Sequence, residues 1–584
     1  MKYKRLIILI SALVLAAATI AAQQALEPNA ARLQQDISYL ASDALNGRRT
    51  GTQGANDAAH YIAGEFARAG LRPISKAAAS RRPSVEMARY LQAYPYVAGA
   101  RLGKQNLLTA KMNDAVFNFE VGKDWMPLGI SANQALEQVP VVFVKYGITA
   151  SELNYNDYSD PKVTGRIAIA QSGTPDGDNP HGQFARYEDV HWKAIAARNA
   201  GAKALFVIAR EKNFADDRLS VLHVENTAGD AGIPVIGISQ KAAADLFTND
   251  VPWLINLSTD ISREQTPAYN VVGVLDGSDP TLKNETIIIG AHYDHLGRGG
   301  EGSLAPRSGE IHHGADDNAS GTAGVIELAR LFSAQRPRLK RTLVFIAFSG
   351  EEEGLLGSNY YVNHPLLPLA NTVAMINMDM IGRMKDHKLV IGGVGTAKEW
   401  HDILAKDKPF DLILNEDGYG PSDHSSFYSK QVPVLFFWTG PHGDYHKPSD
   451  TFDKINYTDE ARILAMVARV VRDVDSADKR LTYTTAKTDP APRSVGFRVY
   501  LGTIPNYGDS TDGLLLDGVR DDSPAAKAGL KAGDKVVKIA NRDVKNVYDY
   551  TAALGEMKAG QEYVVEIVRG GERLSLKIVP EARK

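Results

Sequence analysis

Residues 266–480 predict an α/β domain built on a mixed sheet with helices on both faces. Three observations lead there. Four short, almost wholly apolar runs, at 286–289, 342–348, 373–378 and 433–438, have strand length and no polar alternation, which marks strands buried on both sides. Helical periodicity lies between them: the stretch 319–332 places Val325, Leu328, Ala329 and Phe332 on one face. His, Asp and Glu residues gather just after the strands, at the edge where open α/β sheets bind ligands.

The rest of the chain is read in order. Lys2, Lys4 and Arg5 precede an apolar run, 6–22, that ends in small residues. That is the layout of a cleaved secretory signal peptide over residues 1–22, with a membrane anchor as the alternative. Residues 23–129 read as the N-terminal part of the α/β domain. There Ala58, Tyr61, Ile62, Phe66 and Ala69 keep helical spacing until Gly70. Over 130–265 the texture becomes β-rich, with strands expected at 139–144, 166–170, 204–208 and 234–238 and a helix at 190–200. The polar stretch 481–494, with Pro490 and Pro492, reads as a linker. Residues 495–584 are again β-rich, with short helices expected at 524–528 and 547–556.

Composition narrows the chemistry. The 584 residues contain no cysteine, so disulfides, thiolate metal sites and Cys nucleophiles are excluded. Any metal must use His, Asp and Glu, a donor set that suits zinc. A formal net charge of −3, with both signs interspersed, gives no reason to expect a nucleic-acid partner.

The residues after each strand carry the chemistry. Gly290-Ala291-His292-Tyr293-Asp294-His295 follows the first, Ser349-Gly350-Glu351-Glu352 the second, and Asp379 the third. Tyr445-His446 lies beyond the fourth, and Gly314-Ala315-Asp316-Asp317-Asn318 opens the intervening helix. Each is unremarkable alone: a structural His, a solvated acidic loop, a helix cap. Together, two imidazoles and three carboxylates can hold a pair of divalent ions with one carboxylate bridging. Of the adjacent Glu351 and Glu352, one would bind metal and one would shuttle protons. Asp294 suits a supporting place behind His292.

These stretches, with Glu351-Glu352-Glu353-Gly354-Leu355-Leu356-Gly357-Ser358, Asn377-Met378-Asp379-Met380, Pro421-Ser422-Asp423-His424-Ser425-Ser426-Phe427 and Tyr445-His446-Lys447-Pro448-Ser449-Asp450-Thr451, resemble the dizinc aminopeptidases of peptidase family twenty-eight, clan MH. The resemblance implies a zinc exopeptidase fold and two Zn2+ per chain. It implies His292 and Asp379 on one zinc, Glu352 and His446 on the other, and Asp317 between them, with Asp316 not coordinating. It implies Glu351 as general base and Asp294 as the residue that orients His292. Tyr445 would assist at the oxyanion, and Asp423 and His424 would shape the substrate pocket. The Gly-rich loop 297–314 departs from the smallest members, and its His312 and His313 read as loop residues. Cobalt or manganese could replace zinc in such a site.

Residues 165–169, 193–208 and 233–236 resemble a protease-associated domain. Residues 518–534 resemble a PDZ domain, in which Tyr500, Leu501, Gly502 and Thr503 would form the loop that binds a peptide's C-terminal carboxylate. The implied activity is removal of N-terminal residues from peptides by an exported enzyme, periplasmic or secreted. A carboxypeptidase or dipeptidase of the same clan is the alternative within enzymes, with Arg383 or Lys447 as carboxylate binders. An inactive peptide-binding protein acting through its PDZ domain is the alternative of another class.

Overall fold

The computed structural model describes residues 27–75, 83–150, 153–159, 162–177, 183–222, 230–247, 253–300, 302–305, 309–406, 408–486, 499–505, 512–519, 523–545, 549–550, 553–554 and 557–582. The signal segment 1–22 and most of the linker 481–494 lie outside these. Among the described residues no helix is long and apolar enough to cross a membrane. The chain divides into two units: residues up to Pro95 with Pro267–Asp489, and Tyr96–Thr266 with Pro490 onward.

The first unit is built on a mixed nine-stranded sheet. Its strands are β1 (Arg72–Pro73), β2 (Leu91–Leu102), β3 (Ile261–Leu275), β4 (Thr286–His292), β5 (Thr342–Phe348), β6 (Thr372–Met378), β7 (Lys388–Gly392), β8 (Asp411–Leu414) and β9 (Val434–Trp438). The order is β1-β3-β5-β4-β6-β9-β7-β8, with β2 paired to β3. The central four, β5, β4, β6 and β9, run parallel to one another. Every residue of β4, β5 and β6 is buried, as their uninterrupted apolar sequence requires.

Alternate side chains serve opposite faces. Ile287, Ile289, Leu343, Phe345, Ala374 and Ile376 pack with α1 (Ala30–Leu40), α2 (Gln53–Arg68), α3 (Gly321–Ala334) and the later helix Tyr457–Ser476. Ile288, Val344, Ile346 and Met375 pack with Tyr361 and Val362 of the helix Leu356–Asn363 and with Phe427 and Tyr428. Helices therefore cover both faces, and the sheet's carboxyl edge is left to loops.

In the second unit, residues 107–258 form an eight-stranded sheet. Strands Ala135–Phe143, Ile167–Gln171, Ala204–Ile208 and Val235–Ile238 are mutually parallel at its centre. The helices Val190–Asn199 and Gln240–Phe247 pack on opposite faces, through Ala194 and Ala197 on one and Ala242 and Leu246 on the other. Strands Leu107–Met112, Ala115–Phe119 and Trp125–Pro127 belong to this sheet, so the insert begins ahead of residue 130. Nothing in composition marks that start, because strand pairing and not local texture assigns these segments.

Residues 499–582 form a small β-rich body. Leu514, Leu516, Val536, Ile539, Val565 and Ile567 centre its core. The short helix Pro524–Lys527 starts on Ser523, whose hydroxyl accepts from the Ala526 N–H.

Candidate metal centre and its comparison with known proteins

The four parallel strands deliver their functional groups to one edge. His292 is the last residue of β4, Asp379 follows β6, and Glu351 and Glu352 follow β5. Asp317 lies in the irregular turn Ala315–Ser320 that feeds α3. That turn is fixed to the end of β6 by Asn318, whose amide donates to the Met378 carbonyl at 3.0 Å and whose oxygen accepts from Gly321 N–H at 2.8 Å. A Cβ on Gly321 would stand 2.4 Å from the Met378 carbonyl oxygen, so glycine is what lets α3 start this close to β6.

Two groups of donor atoms result. His292 Nε2 lies 3.4 Å from Asp317 Oδ1 and 3.3 Å from Asp379 Oδ1. His446 Nε2 lies 3.2 Å from both Asp317 Oδ2 and Glu352 Oε2. Tetrahedral coordination at zinc's usual bond lengths puts ligand atoms about 3.3 Å apart. The buried Asp379 Oδ1 has no hydrogen-bond partner among the described residues. It faces an imidazole nitrogen across a gap that suits a shared cation. The residues fit two metal ions, with Asp317 offering one oxygen to each.

The crowded carboxylates set the charge states of these groups in the absence of metal. Burial pulls the His446 imidazole down, but the Asp317 and Glu352 carboxylates outweigh it and push its pKa up to about 11. His292 is also raised, by Asp379 and Glu351 against burial. Glu352 is held well below the usual carboxylate range by His295 and His446, which overcome its burial. Glu351 goes the other way: burial lifts it well above its ordinary value, and Asp379 and Glu352 add to the rise against His292. The adjacent carboxylates are thus driven apart, one as an anion and one as a proton carrier. Glu351 Oε2 stands 3.8 Å from His292 Nε2, beside both donor groups.

The supporting groups are specific. His292 Nδ1 lies 3.2 Å from the backbone carbonyl of Asp294, while the Asp294 carboxylate stands at 3.7 Å. That carboxylate accepts from Thr50 Oγ1 at 3.0 Å and from the Glu351 N–H at 3.2 Å, so Asp294 braces the Glu351 main chain as well as the imidazole. His446 Nδ1 donates to the Gly302 carbonyl at 2.6 Å, which leaves Nε2 free for a metal. The Gly-rich loop therefore fixes which nitrogen of His446 faces the carboxylates. Within that loop His312 contacts Ser303 Oγ at 2.7 Å and the Glu310 carbonyl at 3.1 Å, and His313 bonds Asp43 and the Pro448 carbonyl. Asp316 accepts from the Gly382 N–H at 2.7 Å and meets His442 Nε2 at 3.2 Å, so it anchors the loop that brings His446 in.

Tyr445 stacks on His446 with ring centres 3.8 Å apart. Asp423 is fully buried, and burial pushes its pKa up to about 7 against the pull of His292 and Ser358. His424 stacks on Phe436 at 4.4 Å, and burial pulls it down to about 3, so the ring is neutral. Arg383 pairs with Asp444 at 3.2 Å and Lys447 donates to the Gly443 carbonyl at 2.8 Å. Both cations are engaged within the loop that carries His446.

Tyr500 ends a strand pairing with Glu581–Ala582, and Thr503 starts the next strand, with its hydroxyl 2.5 Å from that of Tyr550. Between them the Leu501 carbonyl accepts from the Ala525 N–H at 2.9 Å. Gly502 has φ +78°, and a Cβ there would stand 2.2 Å from Ser523.

Three supporting residues escape a reading of the sequence. Arg48 is buried, and its guanidinium donates to the carbonyls of Tyr293 (2.7 Å), His313 (2.7 Å), Gly314 (2.9 Å) and Leu40. Thr50 reaches Asp294, and His295 reaches Glu352. The available signal was Gly47 and Gly51 flanking Arg48–Thr50, both at positive φ. A Cβ on Gly47 would stand 2.4 Å from the Gly297 carbonyl oxygen, in the loop after β4.

Comparison with known proteins follows the same lines. The model of peptidase family M28 matches residues 270–471, that of the PA domain residues 137–246, and that of the PDZ domain residues 502–579. The aminopeptidase YwaD of Bacillus subtilis is 28% identical over 329 residues, 53% of this chain and 63% of that protein. An aminopeptidase of Pseudomonas aeruginosa is 30% identical over 243 residues, 40% of this chain and 37% of its own length. Among solved structures, a zinc aminopeptidase from Bacillus subtilis aligns over 77% of this chain and 96% of its own, with TM-score 0.47 and 21% identity. Residues 270–471 are a domain of peptidase family M28, in a chain that also carries a PA domain and a PDZ domain in the order its motifs predict.

Proposed function

We propose that this chain is a two-zinc aminopeptidase that releases N-terminal residues from peptides. The observation that carries the reading is the convergence of five ligand side chains into two donor groups that share Asp317, at spacings of 3.2–3.4 Å. The relatives' activity, aminopeptidase, is the one this site would perform.

His292 and Asp379 would hold one ion, Glu352 and His446 the other, and Asp317 would span them. When bound, the ions would supply Lewis acidity and a strongly acidified water. Glu351 takes the proton of the attacking water and returns it to the departing amine nitrogen, as its raised proton affinity allows. Asp294 holds the Glu351 main chain and the back of His292 in register. Tyr445 is the candidate donor toward the carbonyl oxygen, and Asp423 and His424 would shape the substrate pocket. Arg383 pairs with Asp444 through Nη2 and Lys447 with the Gly443 carbonyl, while Arg383 Nη1 has no hydrogen bond among the described residues, so the choice of aminopeptidase over carboxypeptidase rests on the relatives' activity and not on these cations. Residues 1–22 would export the chain, and the PDZ domain would take peptides with a free C-terminus through the loop Tyr500–Thr503.

The test is metal content. The purified chain is expected to hold two equivalents of zinc, and H292A or H446A to hold one with little turnover. Two tightly held zinc ions in both variants would refute the ligand assignment.

A further inference from the structure

The second donor group contains an imidazole that the proposed ligand set does not use. His295 is buried, and its Nδ1 lies 2.6 Å from Glu352 Oε1. Its other nitrogen, Nε2, has no partner among the described residues, so this one contact is the ring's polar anchor. Two uses of His295 are conceivable, as a fourth ligand or as a support for a ligand, and the distances separate them. Ligand atoms on one zinc ion stand about 3.3 Å apart. His295, Asp317 and Glu352 lie close enough together to hold an ion, but His295 Nδ1 meets Glu352 Oε1 at hydrogen-bond distance, 2.6 Å, and at 4.0 Å from Asp317 Oδ2 it is wider than ligand spacing, which favours the supporting role. His446 Nε2, at 3.2 Å from both carboxylates, has the spacing of a ligand.

The contact involves the Glu352 oxygen other than the one that meets His446. Oε2 belongs to the donor group, and Oε1 belongs to His295. We propose that His295 is a positioning residue of the second metal site: its Nδ1–H donates to Glu352 Oε1 and leaves Oε2 as the single coordinating oxygen. One-point attachment keeps a coordination position open for substrate, where a chelating carboxylate would fill it.

The ring's own placement is built in. Gly314 has φ +56°, and a Cβ there would lie 2.5 Å from His295 Cγ. The His295 ring meets the His446 ring edge-on, 5.9 Å between centres. The His295 N–H donates to the Arg48 carbonyl at 3.3 Å, which ties the residue to the buried arginine under the site.

This inference rests on the two-metal reading. The experiment is a zinc titration of the metal-free full chain by calorimetry, with cobalt absorption spectra, on the wild type and on H295A, H295N and H295Q. An asparagine amide can reach the place of Nδ1, and a glutamine amide the place of Nε2. The wild type should show two sites. H295A should keep the first and weaken the second about 10- to 100-fold. H295N should restore most of the loss and H295Q should not, a contrast that decides the matter even if H295A does not fold. Unchanged second-site affinity in all variants would overturn the proposal. So would equal loss in all three with a cobalt spectrum that has lost a nitrogen ligand, which would make His295 a ligand itself. A single site in the wild type would instead bring down the two-metal reading beneath it.

Discussion

At the scale of single residues, the site divides labour between neighbours of like charge. Glu351 and Glu352 are adjacent in sequence, yet burial raises the proton affinity of one while two imidazoles lower that of the other. Replacement of Glu351 by Gln should therefore keep both metals and cost about 10²- to 10⁴-fold in kcat. Metal analysis beside steady-state kinetics checks it, and substantial remaining turnover would remove Glu351 from the base role. A second expectation concerns protons. In the metal-free chain the His446 pKa is pushed up to about 11, so the ring is protonated at neutral pH. A metal must displace that proton, so zinc binding should release protons and its apparent affinity should rise with pH through the neutral range. Calorimetry in buffers of different ionisation enthalpy measures the release; no buffer dependence would contradict it.

The residues that converge were legible at this scale because His292, Glu352, Asp379 and His446 end or follow apolar strands and Asp317 precedes helix α3, each in a dense motif. His295 was not, although it stands in the same motif as His292. Its partner Glu352 is 57 positions away, and only the folded chain brings them together. Asp294 was legible as a support, but its carboxylate acts more on Thr50 and the Glu351 N–H than on the imidazole.

At the scale of elements, the site hangs on loops that the sheet edge holds in place. The segment Asn46–Thr52, far upstream of every ligand, lies under two of them through Arg48 and Thr50. Burial lowers the Arg48 pKa to about 10, and four carbonyls take up its donors. R48M should leave these acceptors bare and destabilise the first unit by about 3 kcal/mol or more. A shift in urea midpoint with unchanged slope measures that, and an unaltered midpoint would dismiss the anchor. The four central strands and helices α2 and α3 of this unit could be read from apolar runs and helical spacing, to within a few residues; the short edge strands β1 and β8 could not. The start of the insert could not, because its early strands are defined by partners more than a hundred residues later, such as the pairing of Leu107–Met112 with Leu254–Ser258.

At the scale of the whole molecule, three domain types share one chain, and among the described residues the clusters able to hold a metal ion lie in the M28 domain. The PDZ domain is expected to add recruitment without chemistry. The full chain should bind labelled peptides that end in a free carboxylate and lose them when that end is amidated. Equal binding of both forms in fluorescence anisotropy would reject the carboxylate loop at Tyr500–Thr503.

The most direct test of the central claim is release of the N-terminal residue from matched free and N-acetylated peptides, before and after chelation and return of zinc. Cleavage of the free peptides alone, abolished by chelator and restored by zinc, is the predicted result. Chelator-sensitive cleavage of the acetylated peptides from their C-terminal end would contradict it.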